Sequence, residues 1–237
     1  MRFRLACLVA ACVLPVVMAA GFLVLHAYQY KRSLIEQHML ETARALTLTV
    51  DRDLASIQSA QQVLATSPHL VSGDLAGFHA QAREVLRGFP GADIILAEAN
   101  GQQMVNTYRR FGEVLPKRNA PALVQRIFET GKPVISDLFL GAVTKRPLIG
   151  VDVPVFADGR VVYDLSMTLP ADRLGAILAQ QRLPSQWTGS ILDSNRVIVA
   201  RTSEPEKFVG RQAGPALRQQ MAESKEGTAE VHNIAGT

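Results

Sequence analysis

The sequence predicts an α+β fold in which two antiparallel-sheet units follow a helical N-terminal segment. Three observations carry that expectation. Leu5 to Gln29 is an apolar run without a formal charge. Lys31 to Thr66 contains neither Gly nor Pro and repeats apolar residues at helical spacing. One short hairpin pattern occurs twice, as I95-L-A-E-A-N-G-Q-Q-M-V-N-T107 and as I191-L-D-S-N-R-V-I-V-A-R-T202. Glu98 and Asp193, Asn100 and Asn195, and Thr107 and Thr202 stand at one common offset.

The apolar run is long enough to span a bilayer as a helix, for which ~20 apolar residues suffice, so residues 1–30 are expected to be a membrane anchor. A signal peptide cut after Val17-Met18-Ala19 fits less well, because apolar residues continue through Phe22, Leu23, Val24 and Leu25. A lipoprotein reading at Cys12 meets apolar residues where a mature lipoprotein turns polar. Pro15 is tolerable in a membrane helix. Arg2 and Arg4 face Lys31 and Arg32 across the span, a weak charge bias. The Tyr28 and Tyr30 interface pair and the cysteine-free remainder favour an N-terminus inside and an exported body.

Residues 31–67 read as one long amphipathic helix through Ile35, Met39, Leu46, Val50, Ile57, Ala60 and Leu64. It ends at Ser67-Pro68, because a residue before proline avoids helical geometry. Asp74 to Arg87 reads as a shorter helix closed by Gly88. Strands at 92–97 and 102–107 flank Asn100-Gly101, a strong hairpin signal. Asn119 to Thr130 is expected to be a helix capped by Asn119, with Pro121 in its first turn and Gly131 after its end. Strands follow at 134–140, 148–156 and 160–169, the last two joined by Ala157-Asp158-Gly159. Residues 68–169 thus form a first unit of five antiparallel strands. A linker helix over 170–184 leads to a second unit, 185–237, with a hairpin at 187–193 and 196–201, a helix near 215–222 and a strand at 228–234. That second unit stops before the three further strands that the first would predict.

Composition excludes several function classes. The net charge of +4 and pI near 9.3 come without clustered Lys or Arg, so no nucleic-acid partner is expected. Both cysteines, Cys7 and Cys12, lie in the apolar run, which rules out a disulfide framework or thiol nucleophile elsewhere. His26, His38, His69, His79 and His232 show no metal-ligand spacing. E129-T-G-K-P lacks the glycine spacing and the hydroxyl residue of a phosphate loop, and no G-x-S-x-G elbow is present. No cofactor, no metal and no catalytic apparatus are expected in this segment.

Asp137, Asp152 and Asp164 interrupt otherwise apolar strands, and a buried carboxylate needs a partner. Alternation places Asp164, Ser166 and Thr168 on one strand face and Tyr163, Leu165 and Met167 on the other. The basic pairs Arg109-Arg110, Lys117-Arg118 and Lys145-Arg146 fall in loops, where an arginine can fork onto a carboxylate or phosphate. The candidate ligand-binding residues are therefore Tyr108, Arg109, Arg110, Asp137, Asp152, Tyr163, Asp164 and Ser166. At their centre is a pocket of Asp152, Asp164 and Ser166 facing an arginine from the 108–110 loop.

The order of these motifs resembles the double-Cache, PAS-like sensor region of bacterial transmembrane receptors, with sensor histidine kinases the nearest flavour. The resemblance rests on D93-I-I-L-A-E-A-N-G-Q-Q-M-V-N-T, F111-G-E-V-L-P, T130-G-K-P-V-I-S-D-L-F-L-G, V151-D-V-P-V-F-A-D-G-R-V-V-Y-D-L-S, R182-L-P-S-Q-W-T-G-S-I-L-D-S-N-R-V-I-V-A-R and F208-V-G. It implies a membrane-distal unit that holds a small molecule and a homodimer formed through the long helix. It further implies a second membrane helix leading to a cytoplasmic output domain, of a histidine kinase, a diguanylate cyclase or a chemoreceptor. Neither lies in this chain, and the truncated second unit points to a fragment. The bulk of the chain would lie in the periplasm, anchored in the inner membrane. Y108-R-R-F-G departs from the family's amino-acid-binding pattern, which shifts the expected ligand toward a small carboxylate. A membrane-tethered or secreted hydrolase and a purely structural tether are the rival readings.

Overall fold

The computed structural model describes residues 2–184 and 187–224, with the side chains of that range except 2–17, 19–21, 24, 25 and 32. Helix α1 is continuous over Arg2–Leu64, so the expected anchor and the expected long helix are one rod through Pro15. Among the described residues no helix is long and apolar enough to cross a membrane. The expected span over 1–30 depends on side chains that mostly lie outside the described residues.

Helix α1 ends at Leu64, three residues before Ser67, and Ser67 begins a short helix that the sequence pattern did not show. Its hydroxyl accepts from the His69 amide at 3.2 Å and caps α2, Pro68–Ser72, which closes on Gly73 at φ 74°. Asp74 caps α3, Leu75–Val85, by accepting from the Gly77 amide at 2.9 Å. Such caps satisfy amides that have no partner within the helix. Helix α4, Pro121–Thr130, starts one residue later than expected. Its cap position is Ala120, and Asn119 instead donates its side-chain amide to the Leu140 carbonyl at 3.1 Å.

The first unit holds strands β1 (Asp93–Ala97), β2 (Gln103–Asn106), β3 (Val134–Ile135), β4 (Phe139–Leu140), β5 (Pro147–Ala157) and β6 (Arg160–Pro170). They form an antiparallel sheet ordered β2-β1-β6-β5-β3, with β4 also paired to β5. The expected single strand over 134–140 is thus broken in two. Ser136 continues the ladder by donating its amide to the Gly150 carbonyl at 2.8 Å, and Asp137 then leaves it. The gap gives a sixth strand where five were expected.

One face of this sheet is apolar. Ile94, Leu96, Val105, Val151, Val153, Val155, Leu165, Met167 and Leu169 pack against Ile57 and Leu64 of α1 and Phe78 and Ala82 of α3. Ile57, Gln61 and Leu64 recur at the helical period. Gln61, fully buried, donates its amide to the Val151 carbonyl at 2.8 Å.

Helix α5 (Ala171–Gln180) leads to β7 (Ser190–Leu192) and β8 (Ile198–Arg201), a two-stranded sheet followed by α6 (Pro205–Phe208) and α7 (Pro215–Glu223). Residues 187–189 lie outside the strand, and α6 was not foreseen. The expected strand over 228–234 lies outside the described residues. Leu46 and Val50 of α1 pack on the second cluster, around Ile149, Leu174, Leu178, Val199 and Ala200. Arg173 clamps Asp53 with bonds of 2.9 and 2.6 Å. The second unit therefore sits nearer the N-terminal end of α1 than the first.

Candidate functional site

The opposite face of the large sheet is polar and yet buried. Directly paired residues share a face. The register pairs Asp93 with Thr168, Ile95 with Ser166, Ala97 with Asp164, Ile95 with Asn106, and Asp152 with Ser166. Gln103, Asn106, Asp152, Asp164, Ser166 and Thr168 are all buried. A sheet normally turns such residues to water, so this face has been enclosed rather than packed.

The enclosing segment is 107–120. Asn106 starts it, its side-chain oxygen accepting from the Tyr108 amide at 3.0 Å. It returns along the hairpin turn, where Gln102 donates its side-chain amide to the Leu115 carbonyl at 2.8 Å and the Arg118 amide donates to the Gly101 carbonyl at 2.9 Å. Gly101, at φ 80°, supplies a turn conformation that few other residues adopt. This lays Arg118 across the sheet.

The Arg118 guanidinium donates to Asp152 Oδ1 and Asp164 Oδ2, and to Ser166 Oγ at 3.1 Å. The three charged side chains are 2%, 0% and 0% exposed. Two carboxylates thus meet one cation, and Asp152 Oδ2 and Asp164 Oδ1 have no hydrogen-bond partner. Burial raises the Asp164 carboxyl well above its ordinary range, the nearby Asp152 charge adds to this, and Arg118 offsets only part. Burial by itself would lower the Arg118 value, but the two carboxylates outweigh it and hold the guanidinium charged.

Beside the triad lies a cavity of about 20 Å³, lined by Asp93, Gln103, Asn106, Arg118, Thr144 and Thr168 among others. That is space for about one water-sized group. The 141–144 turn, with Phe139 and Leu148, forms its outer wall. Burial raises the Asp93 carboxyl to about 6, opposed by the charge of Arg146.

The sequence-based candidates divide three ways. Asp152, Asp164 and Ser166 come together, but the arginine that reaches them is Arg118. Tyr108, Arg109 and Arg110 instead lie on the outside of the enclosing segment: Tyr108 is 49% exposed, Arg109 pairs with Glu113 at 3.6 Å, and the Arg110 amide donates to Glu113 Oε1. Tyr163 faces away, against the helix-side core. Asp137 joins the two units, accepting from the Ser194 amide at 2.9 Å, the Ser194 hydroxyl at 2.6 Å and the Asn195 side-chain amide at 2.9 Å. In return, the Leu138 amide donates to Asp193 Oδ2 at 3.1 Å.

Arg118, Asp93, Gln103, Asn106 and Thr168 were not among the candidates. Strand alternation could have found Asp93 and Thr168. Nothing local separates Arg118 from the other basic pairs.

A larger cavity, about 680 Å³, opens between α5 and the β7–β8 hairpin. Arg182 and Arg201 both line it, and Arg201 lies 4.2 Å from the Phe208 ring and donates Nε to the Ser203 carbonyl at 3.1 Å. The polar sheet face, by contrast, carries buried carboxylate oxygens without hydrogen-bond partners. The candidate site is placed there.

No family model and no curated protein matches this sequence. Solved structures with the same fold include ligand-binding domains of bacterial chemoreceptors. A methyl-accepting chemotaxis protein X superposes with a TM-score of 0.65 at 16% identity, over 82% of this chain and 84% of the other. The ligand-binding domain of the Pseudomonas fluorescens chemoreceptor CtaA, in complex with L-isoleucine, gives 0.63 at 12% identity, over 79% and 76%. That of the Campylobacter jejuni chemoreceptor Tlp3, in complex with L-valine, gives 0.57 at 15%, over 77% of each chain. At these identities the likeness establishes the fold.

Proposed function

We propose that this chain is the extracytoplasmic small-molecule sensing module of an inner-membrane signalling receptor. Residues 1–30 would be its anchor and the first unit its membrane-distal ligand-binding unit. One observation carries the reading: a sheet in a fold shared with chemoreceptor ligand-binding domains carries a buried polar face, on which two carboxylate oxygens lack partners, with a small cavity beside it. A structural tether needs no such face, because buried polar groups without partners cost stability.

Signal transfer would use the opposite face. A ligand that reshapes β5 and β6 acts on α1 through Ile57, Leu64 and the Gln61 contact to Val151. Leu34, Ile35, Met39 and Leu48 leave an apolar stripe exposed on α1, on which a homodimer would pack. The ligand would shift this packing only by binding its two arrangements with different affinity. A histidine kinase and a chemoreceptor output are served equally well by such a module.

The test is thermal melting of the full chain in a membrane mimetic across a broad metabolite library that includes amino acids. At least one compound should raise the melting temperature in the wild type and lose its effect in Asp152→Asn. A library with no active compound would remove the sensing reading.

A further inference from the structure

The second unit carries a cavity of its own, apart from the polar sheet face. It opens between α5 and the β7–β8 hairpin, and its volume of about 680 Å³ lies in the range of pockets that take small organic molecules. Leu178 of α5, Val199 of β8, Val209 and Trp187 give it apolar walls. Its charged lining residues are Arg182, Arg201 and Asp172, so cations outnumber anions. Asp172 sits exposed in the first turn of α5, where the helix itself favours a negative charge.

The two arginines are held differently. Arg201 is buried, at 7% exposure, with Nε committed to the Ser203 carbonyl at 3.1 Å and Cζ over the Phe208 ring. These contacts fix the guanidinium but leave its two Nη groups without an acceptor among the described residues. A buried cation of this kind is stabilised by an acceptor brought to its remaining N–H groups. The two Nη groups form an end-on fork, a shape that a carboxylate fits. Arg182 is exposed, and its side chain makes no hydrogen bond or ion pair among the described residues.

We infer that this cavity is a second ligand site, for an organic carboxylate with an apolar body. The carboxylate meets the Nη groups of Arg201, Arg182 adds charge at the opening, and the apolar body lies among Leu178, Val199 and Trp187. The site goes beyond the proposed function, which places its ligand in the first unit, and does not depend on it. The Trp187 ring also meets His38 of α1 edge-on, with centroids 6.1 Å apart. An occupant of the cavity therefore touches a side chain that is already in contact with the long helix.

The experiment uses the full chain in a membrane mimetic with benzoate, benzylamine and inorganic phosphate at matched ionic strength, read by melting temperature, calorimetric titration and tryptophan fluorescence. Trp187 is the only tryptophan of the chain, so its emission reports this cavity directly. Benzoate should raise the melting temperature and shift the Trp187 emission. Arg201→Gln should weaken its binding by roughly tenfold or more, as expected when a buried charge pair loses one partner. Gly175→Leu guards against a folding artefact in that variant: a Cβ at Gly175, on the α5 wall, meets nothing within 4 Å, and leucine is the better helix former. It should fold at least as stably as the wild type and lose benzoate by filling the cavity, whereas Asp152→Asn should bind benzoate as the wild type does. Benzoate binding that survives Arg201→Gln or Gly175→Leu would overturn the assignment, and binding lost in Asp152→Asn would move the effect to the polar sheet face. Equal binding of benzylamine would overturn the role given to charge, and phosphate binding without benzoate the role given to the apolar body. Silence from all three compounds would overturn the site itself, while the metabolite library decides separately whether the first unit senses.

Discussion

Replacing Arg118 by Gln tests the enclosed triad most directly. In the wild type, Asp152 Oδ1 and Asp164 Oδ2 receive the guanidinium, while Asp152 Oδ2 and Asp164 Oδ1 receive nothing. Without Arg118 all four carboxylate oxygens lack this donor at sites that are 0% exposed. Two newly orphaned acceptors at ~1–3 kcal/mol each agree with the ~3–5 kcal/mol lost when one member of a buried ion pair is removed. For a chain of 237 residues this is a fall of roughly 6–20 °C in melting temperature.

The pH dependence has a defined sign. Asp164 is raised in the folded state above its value of 3.8, so the folded form holds that proton more tightly and stability falls as pH rises through this window. Loss of Arg118 raises the Asp164 carboxyl further, so the penalty should grow with pH and nearly vanish in acid. Urea unfolding followed by circular dichroism at several pH values measures it. The triple change Arg118→Gln, Asp152→Asn, Asp164→Asn removes the uncompensated charge and should recover most of the loss. An Arg118→Gln protein within about 1 kcal/mol of wild type at neutral pH, or a cost independent of pH, would refute the buried triad.

Three further outcomes follow from other contacts. Asp137→Ala removes the acceptor of the Ser194 and Asn195 bonds, so hydrogen exchange should quicken in Ser190–Arg201 while amides of β1 and β6 stay protected; uniform acceleration, or none, would contradict the joint. Asp93→Asn should flatten part of the pH profile. With its carboxyl raised from 3.8 to about 6, the wild type loses stability as pH rises across that interval, and the difference between the two proteins should be confined to it. Gln61→Leu exchanges one bond to Val151 for the removal of a buried acceptor without a partner, Gln61 Oε1. The net change should stay within about 1 kcal/mol, and a loss of roughly 3 kcal/mol or more on urea unfolding would mean the Val151 contact matters far more than its geometry implies.

Local chemistry carried much of the fold. The period of Ile57, Gln61 and Leu64, the Asn100-Gly101 turn and the alternation through Asp164, Ser166 and Thr168 are properties of neighbouring residues, and each lies where its pattern points. The errors fall where a distant partner intervenes. Asn119 is drawn from the helix cap to the Leu140 carbonyl, and the 134–140 strand breaks because Asp137 turns away to meet Ser194 and Asn195.

The candidate site divides along the same line. By itself the sequence determined that Asp152, Asp164 and Ser166 share a strand face, because side chains in a strand alternate with a period of two. Which cation meets them was decided by the tertiary structure. Lys117-Arg118 looks no different from Arg109-Arg110 in sequence, but the return of 107–120 along the hairpin, held by Gln102 to Leu115 and Arg118 to Gly101, buries one arginine and exposes the others. That outcome rests on contacts between residues far apart in the chain. The same closure shielded Asp93, which alternation could place on a face but could not desolvate.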